Sequence, residues 1–300
     1  MSKLLEIKRR IQSIKSLAKV TRAMELVTHT KIGRARKGVS GARAYHESFV
    51  RLMTAIEGAR NDEDTPYPPP KNAEDESTHE IIIFLSQRGF CGGFNDRLLA
   101  HLASELPNLG RARLTVVGRL APKWNLFMHT PAADIIAAPD KTWKSDLSAL
   151  ANTLALRIQK KSFPHDTPAR IYLAFNRFQS ILEQVPTIEQ VWPLVIKEEE
   201  KTAYQNGLAE PSQEALMEQA LPSWIEASLA RAWWENAVGE NYARLISMKS
   251  ANENAGIIID NLTLQYNKTR QLDITQELSE ITSAFNTLRI LKGKRERSEV

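Results

Sequence analysis

Cysteine occurs once in these 300 residues, at Cys91, which excludes an intramolecular disulfide, a CxxC redox pair and a cysteine zinc cluster. One cysteine also points to a reducing compartment. No uninterrupted apolar run approaches the roughly 20 residues needed to span a bilayer. The N-terminus lacks the apolar core of a secretory signal. It is basic and amphipathic, as a mitochondrial presequence would be, but the pattern continues far past any plausible cleavage site and reads as mature structure. The six histidines (29, 46, 79, 101, 129 and 165) show no metal-ligand spacing. Neither GxGxxG nor GxxxxGK[ST] occurs at the glycine-bearing turn, and no lysine follows it. No aromatic residue precedes Tyr45, so the basic N-terminus has nothing on which to stack a base.

What is present is uneven. Residues 1–45 hold twelve Lys or Arg against Glu6 and Glu25, a charge of +10, so the remainder carries +5 − 10 = −5. The N-terminal stretch therefore faces something acidic: nucleic acid, anionic lipid or an acidic protein collar. It is also periodic. Leu4, Ile7, Ile11 and Ile14 have heptad spacing, and the seam is expected to shift register through Leu17, Val20, Met24 and Val27. Apolar positions continue through Ile32, Ala35, Val39, Ala42, Tyr45, Phe49, Leu52 and Ile56. As one helix this would be on the order of 80 Å long, with Gly33, Gly38 and Gly41 as interruptions.

Asn241–Leu288 contains no proline and repeats the rhythm in Tyr242, Leu245, Met248, Ala255, Ile259, Leu262 and Tyr266. After the polar stretch NKTRQLD the rhythm resumes with Ile274, Leu278, Ile281, Phe285 and Leu288. A narrow apolar stripe of this kind needs a partner helix. The two ends of the chain are thus expected to pair as an antiparallel coiled coil flanking an α/β insert of Rossmann-like layering. The expected parts are an N-terminal helix (1–59), an acidic proline-rich linker (60–79), an α/β domain (80–195), a second linker (196–211), a C-terminal helix (212–288) and a basic tail (289–300) that frays. Within the insert, strands are expected at Ile81–Leu85, Arg113–Gly118, Asp134–Ala138 and Ala169–Phe178. Val185–Leu194 should be a final strand held to the sheet edge by Pro186 and Pro193. Helices are expected through Leu98–Leu106, near Pro122–Phe127 and at Ser145–Lys161. The C-terminal helix should begin between Gln213 and Trp224, with Pro222 kinking or starting it.

Chemistry is sparse. Gly89-Phe90-Cys91-Gly92-Gly93 reads as a tight strand-to-helix turn rather than a phosphate cradle, and Cys91 has no identifiable base partner. Paired carboxylates fall in the acidic linker or on helix faces. On physical grounds alone this is a coiled-coil interaction protein with no catalytic site, cofactor or metal of its own.

Four blocks make the reading specific: EIKRRIQSIKSLAKVTRAMELV, SQRGFCGGFN, ARLISMKSANENAG and LQYNKTRQLDITQELSEI. In order and spacing they resemble the gamma subunit of rotary F-type ATP synthases, although Gln87 stands where that family usually has aspartate. The resemblance implies a central rotor stalk that carries torque between a membrane ion-driven c-ring and a catalytic hexamer of alpha and beta subunits. It also implies contact with a small epsilon subunit, at the cytoplasmic face of a bacterial inner membrane, without bilayer insertion. By the same resemblance Arg270, Gln271, Thr275 and Glu277 engage the catalytic subunits, and Met24 and Arg244 couple rotation to catalysis. The competing reading is a free-standing coiled coil that binds nucleic acid or anionic membrane through residues 1–45. Gln87, the glycines after Ile32, the proline-rich linker and the extension beyond Leu288 depart from that family's pattern and suggest an ATPase that pumps ions by hydrolysis.

Overall fold

A computed structural model describes residues 2–59, 79–109, 112–121, 132, 134–136, 143–159, 170–194, 210 and 212–298. Its elements are α1 (Ser2–Gly58), β1 (His79–Phe84), α2 (Phe94–Leu109), β2 (Ala112–Val117), β3 (Asp134–Ile136), α3 (Trp143–Gln159), β4 (Ile171–Phe178), β5 (Gln184–Trp192) and α4 (Gln213–Ser298). The expected linkers at 60–79 and 196–211, and the helix near Pro122–Phe127, lie almost wholly outside the described residues. The chain divides into two compact units, one of residues 1–26 with 248–300 and the other of Val27–Ser247. Both long helices run through the division, and each unit is taken by itself.

In the larger unit, five strands lie in the order β3-β2-β1-β4-β5. β1 is parallel to β2 and β4, with Ile81 opposite Leu114 and Tyr172. β5 is antiparallel to β4 and forms one edge. Pro186 sits within β5, where its missing N–H can face away from the ladder, and Pro193 follows the strand. The run Ile81–Leu85 is apolar throughout because both faces of its strand are covered. Ile81, Ile83 and Leu85 pack with Leu98, Leu99 and Leu102 of α2. Ile82 and Phe84 point the other way, into a core with Leu154 of α3, Met53 and Ile56 of α1, and Leu221 and Trp224 of α4.

α4 starts at Gln213, the early end of the expected range, where the Ser212 hydroxyl accepts the Ala215 N–H. Pro222 neither starts nor ends it. A proline there leaves the carbonyl of Glu218 without its helical donor, and Gln159 of α3 supplies one from its side-chain amide at 2.7 Å.

Within the larger unit, α1 and α4 run antiparallel. Gln213 donates to the carbonyl of Ile56, while Arg43 meets Glu235 and Ile32 packs in one cluster with Val238 and Tyr242. α1 is unbroken through all three glycines. Gly33 and Gly41 face open space, but a Cβ on Gly38 would overlap the Trp234 indole. Gly38 is therefore the place where the two helices meet closely.

The register shift expected in α1 does not occur. The covered positions keep a strict heptad: Leu4, Ile7, Ile11, Ile14, Ala18 and Thr21 in the smaller unit, then Thr28, Ile32, Ala35, Val39, Ala42, His46, Phe49, Met53 and Ile56 in the larger. Leu17, Val20, Val27, Tyr45 and Leu52 are exposed. Polar residues can occupy the seam because their hydroxyls find acceptors within the helix, as Thr21 does on the Ala18 carbonyl at 3.0 Å.

In the smaller unit, Met248, Ala255, Leu262, Tyr266, Thr269 and Asp273 continue the covered stripe of α4 straight through the polar stretch. It does not resume at Ile274. Ile274, Leu278, Ile281 and Phe285 are 45–66% exposed. The basic tail, expected to fray, is helical to Ser298.

Candidate functional site

The turn from Ser86 to Gly93 joins β1 to α2 and is held from both sides. Asn95, at the start of α2, accepts the Ser86 N–H at 3.0 Å and donates to the Ser86 hydroxyl at 2.8 Å. From α4, the Glu240 carboxylate accepts the backbone N–H groups of Gln87 (2.7 Å) and Arg88 (3.1 Å). Arg244, one helical turn on, donates to the carbonyls of Gly89 (3.0 Å) and Arg88 (2.8 Å) and to Glu240 itself. Burial pushes the Glu240 carboxyl up, opposed by Arg244 and the two backbone donors. So constrained, the turn holds Phe90 at φ 63°, a left-handed conformation unusual outside glycine. It presents the Phe90 ring 69% exposed.

Cys91 of the same turn is buried, and its thiol lies 3.7 Å from the Arg88 carbonyl. Burial pushes the thiol up, away from the thiolate needed for nucleophilic attack. Among the described residues no group of His, Cys, Asp or Glu could hold a metal ion.

A second polar system joins four elements of the larger unit. Arg43 of α1 donates to Glu235 of α4 at 3.1 Å and to the Phe178 carbonyl at the end of β4 at 2.8 Å. Glu235 accepts the Phe178 N–H at 3.3 Å, so this residue of β4 is gripped by both long helices. Arg231 continues the chain, 3.7 Å from Glu235 and 2.6 Å from Glu189 of β5. Glu189 also pairs with Arg177 of β4 at 3.1 Å. Side-chain exposure is 3% at Glu235 and 9% at Arg231 in the middle, rising to 41% and 43% at Arg43 and Arg177. Burial works to raise the Glu189 carboxyl, but Arg231, Arg177 and His46 together hold it below its ordinary value. His46, against the Trp224 ring, is pushed down to about 4 by burial and by Arg231. At neutral pH it is an uncharged member of the cluster.

The residues expected to act together do not share one place. Arg270, Gln271, Thr275 and Glu277 lie within two turns of α4 in the smaller unit and are all exposed. The Thr275 hydroxyl donates back to the Gln271 carbonyl at 2.8 Å. Met24 is half-buried in the same unit. Arg244 belongs to the other unit and is the buried brace of the turn. Glu240, Arg43, Arg231 and Glu235 were not singled out from the sequence. The i, i+4 pairs Arg231/Glu235 and Glu240/Arg244, inside an otherwise apolar stretch, were the available signal.

The ATP synthase family profile matches residues 3–288. An ATP synthase gamma chain of Jannaschia sp. (strain CCS1) is 32% identical across 96% of this chain and the whole of that protein. The chain belongs to the ATP synthase gamma-chain family. The gamma chain of Fuscovulum blasticum is 33% identical over the same share of this chain. Among solved structures, a chain of the Euglena gracilis mitochondrial ATP synthase OSCP/F1/c-ring assembly superposes with a TM-score of 0.72 over 97% of this chain and 96% of its own. Its identity is 18%, a likeness of fold. A chain from the rotor of the same enzyme gives 0.60 at 17% identity, covering 91% of this chain and 99% of its own.

Proposed function

We propose that this chain is the central rotor stalk of an F-type ATP synthase, turning within a hexamer of alpha and beta subunits and driven by, or driving, a membrane c-ring. The family match along nearly the whole chain carries this reading. The exposed apolar series of α4 supports it: Ile274, Leu278, Ile281 and Phe285 form a seam with no cover among the described residues, as a shaft seated in a ring of partner subunits requires. On this reading the functional parts are a helix of 1–59, a linker of 60–79, an α/β foot of 80–195, a linker of 196–211, a helix of 212–288 and a tail of 289–300.

On this reading the subunit has no catalytic site of its own. An asymmetric shaft presents a different face to each of three equivalent sites and so biases each towards a different conformation, and rotation exchanges the biases. Arg270, Gln271, Thr275 and Glu277 engage the catalytic subunits, and Met24 and Arg244 serve coupling, Arg244 by holding the Ser86–Gly93 turn. The α/β foot meets epsilon and the c-ring at the cytoplasmic face of a bacterial inner membrane. No described helix is long and apolar enough to cross that membrane. Nucleic acid is not a partner on this reading; the basic face of α1 turns against acidic protein.

The test is reconstitution. Alpha and beta subunits with this chain should give a salt-resistant complex that hydrolyses ATP, and Arg270→Ala with Gln271→Ala should weaken its assembly. Steep salt-dependent binding of nucleic acid, without association with the hexamer, would overturn the reading.

A further inference from the structure

We infer that the charged chain Arg43–Glu235–Arg231–Glu189–Arg177 is the torque lock of the foot, the set of contacts that prevents α1 and α4 from slipping against the sheet under load. The inference rests on the rotor reading and adds to it the residues through which torque passes. The apolar contacts between the helices are non-directional, so sliding or rolling by a fraction of a residue exchanges one such contact for another. Charge-assisted hydrogen bonds weaken steeply with misalignment. In the larger unit they are arranged to oppose slip in each direction. Arg43 ties α1 to α4 through Glu235 and to β4 through the Phe178 carbonyl. Glu235 ties α4 to β4 through the Phe178 N–H. Arg231 ties α4 to β5 through Glu189, and Glu189 returns to β4 through Arg177. Of the six pairings among the two helices and the last two strands, all but α1 with β5 are thus crossed by at least one directional bond, and Glu235 and Arg231 are the most buried members.

Buried ion pairs commonly add little net stability, since desolvation offsets the attraction. What such a network does provide is a single permitted register, which is the property torque transmission needs. Polar groups spent in this way inside a unit that already has a large apolar core serve position rather than stability. Glu235 and its neighbours are accordingly positioning residues, acting through the elements they fix.

The experiment uses the assembled, membrane-reconstituted complex carrying Arg43→Gln, Glu235→Gln or both. Two quantities are read: ions pumped per ATP hydrolysed, and the angular spread of a bead fixed to the α/β foot while the hexamer is held. Each single variant should retain ATP hydrolysis, lose pumping severalfold and widen the angular spread. The double variant should be no worse than the poorer single one, because both break the same lock. Arg43→Lys, which keeps the charge but loses the guanidinium fork, should fall between Arg43→Gln and the parent. Where Glu235→Gln fails to assemble, Arg43→Lys and Arg177→Gln, at the half-exposed ends, carry the same measurement. Unchanged pumping and angular spread, with only a lowered melting temperature, would show the network to be merely structural and overturn the inference. A parent chain that binds no hexamer would instead overturn the rotor reading itself.

Discussion

In the unit of Val27–Ser247, charge is turned inward. Glu240 is tied to two backbone amides and Arg244, Glu235 to Arg43 and the Phe178 N–H, and Glu189 to two arginines. In the unit of residues 1–26 and 248–300 the ordering is reversed: Arg270 and Glu277 stand in solvent, and so do Leu278, Ile281 and Phe285. A self-contained body satisfies its polar groups within the chain, whereas a surface made for partners leaves both charge and apolar area unspent. The difference separates the residues that set internal geometry from those that, on the rotor reading, are proposed to meet other subunits.

The contrast breaks most sharply at Glu240. Glu240→Ala leaves Arg244 buried without its carboxylate and two amides without an acceptor, at a cost of about 3–5 kcal/mol. Denaturant unfolding of the full chain measures it, and a Phe90 turn made susceptible to proteolysis should accompany it. Next comes a matched pair of leucines. Leu221, fully buried, should cost about 2–5 kcal/mol on replacement by alanine. Leu278→Ala, at 60% exposure, should stay within about 0.5 kcal/mol in the isolated chain while weakening assembly with the hexamer.

A pH titration sharpens the comparison further. The folded chain holds His46 near 4 while the unfolded chain titrates near 6.5. As pH falls through that window the unfolded state takes up a proton that the folded state refuses. The stability present above 6.5 is therefore lost progressively towards pH 4, by about 2–3 kcal/mol. Glu189, held below its ordinary value, adds a loss of the same sign at still lower pH. His46→Gln should flatten the slope between pH 6.5 and 4, as read by unfolding at fixed temperature. The glycines test the close approach of the two helices. Gly38→Ala should destabilise by about 1–3 kcal/mol through overlap with Trp234, whereas Gly41→Ala, facing open space, should stabilise α1 by about 0.5–1 kcal/mol.

Much of the architecture was legible in the sequence. The run IIIFL announced a strand covered on both faces, Pro186 and Pro193 announced an edge, and the proline-free end announced a long helix. The seam of α1 was misread where apolar character was equated with facing inward. Leu17, Val20 and Val27 lie on the open side, while Thr21 and Thr28, which can satisfy their own hydroxyls, lie on the covered side. The rhythm beginning at Ile274 is real in sequence, but its apolar side chains stand exposed. Least legible were the polar systems: Arg43, Arg177, Glu189 and Glu235 are far apart along the chain, and only the fold brings them into bonding distance. Arg270 and Gln271 stand exposed, and the contacts proposed for them lie outside this chain.

Rotation tests the central claim most directly. Cys91 is buried, so Ser104→Cys on the exposed face of α2 offers a single accessible thiol for attaching a bead to the foot. With the hexamer immobilised and ATP supplied, the account predicts unidirectional rotation of the bead that stops when ATP is exhausted. A complex that contains the chain and hydrolyses ATP while the bead stays still would contradict it.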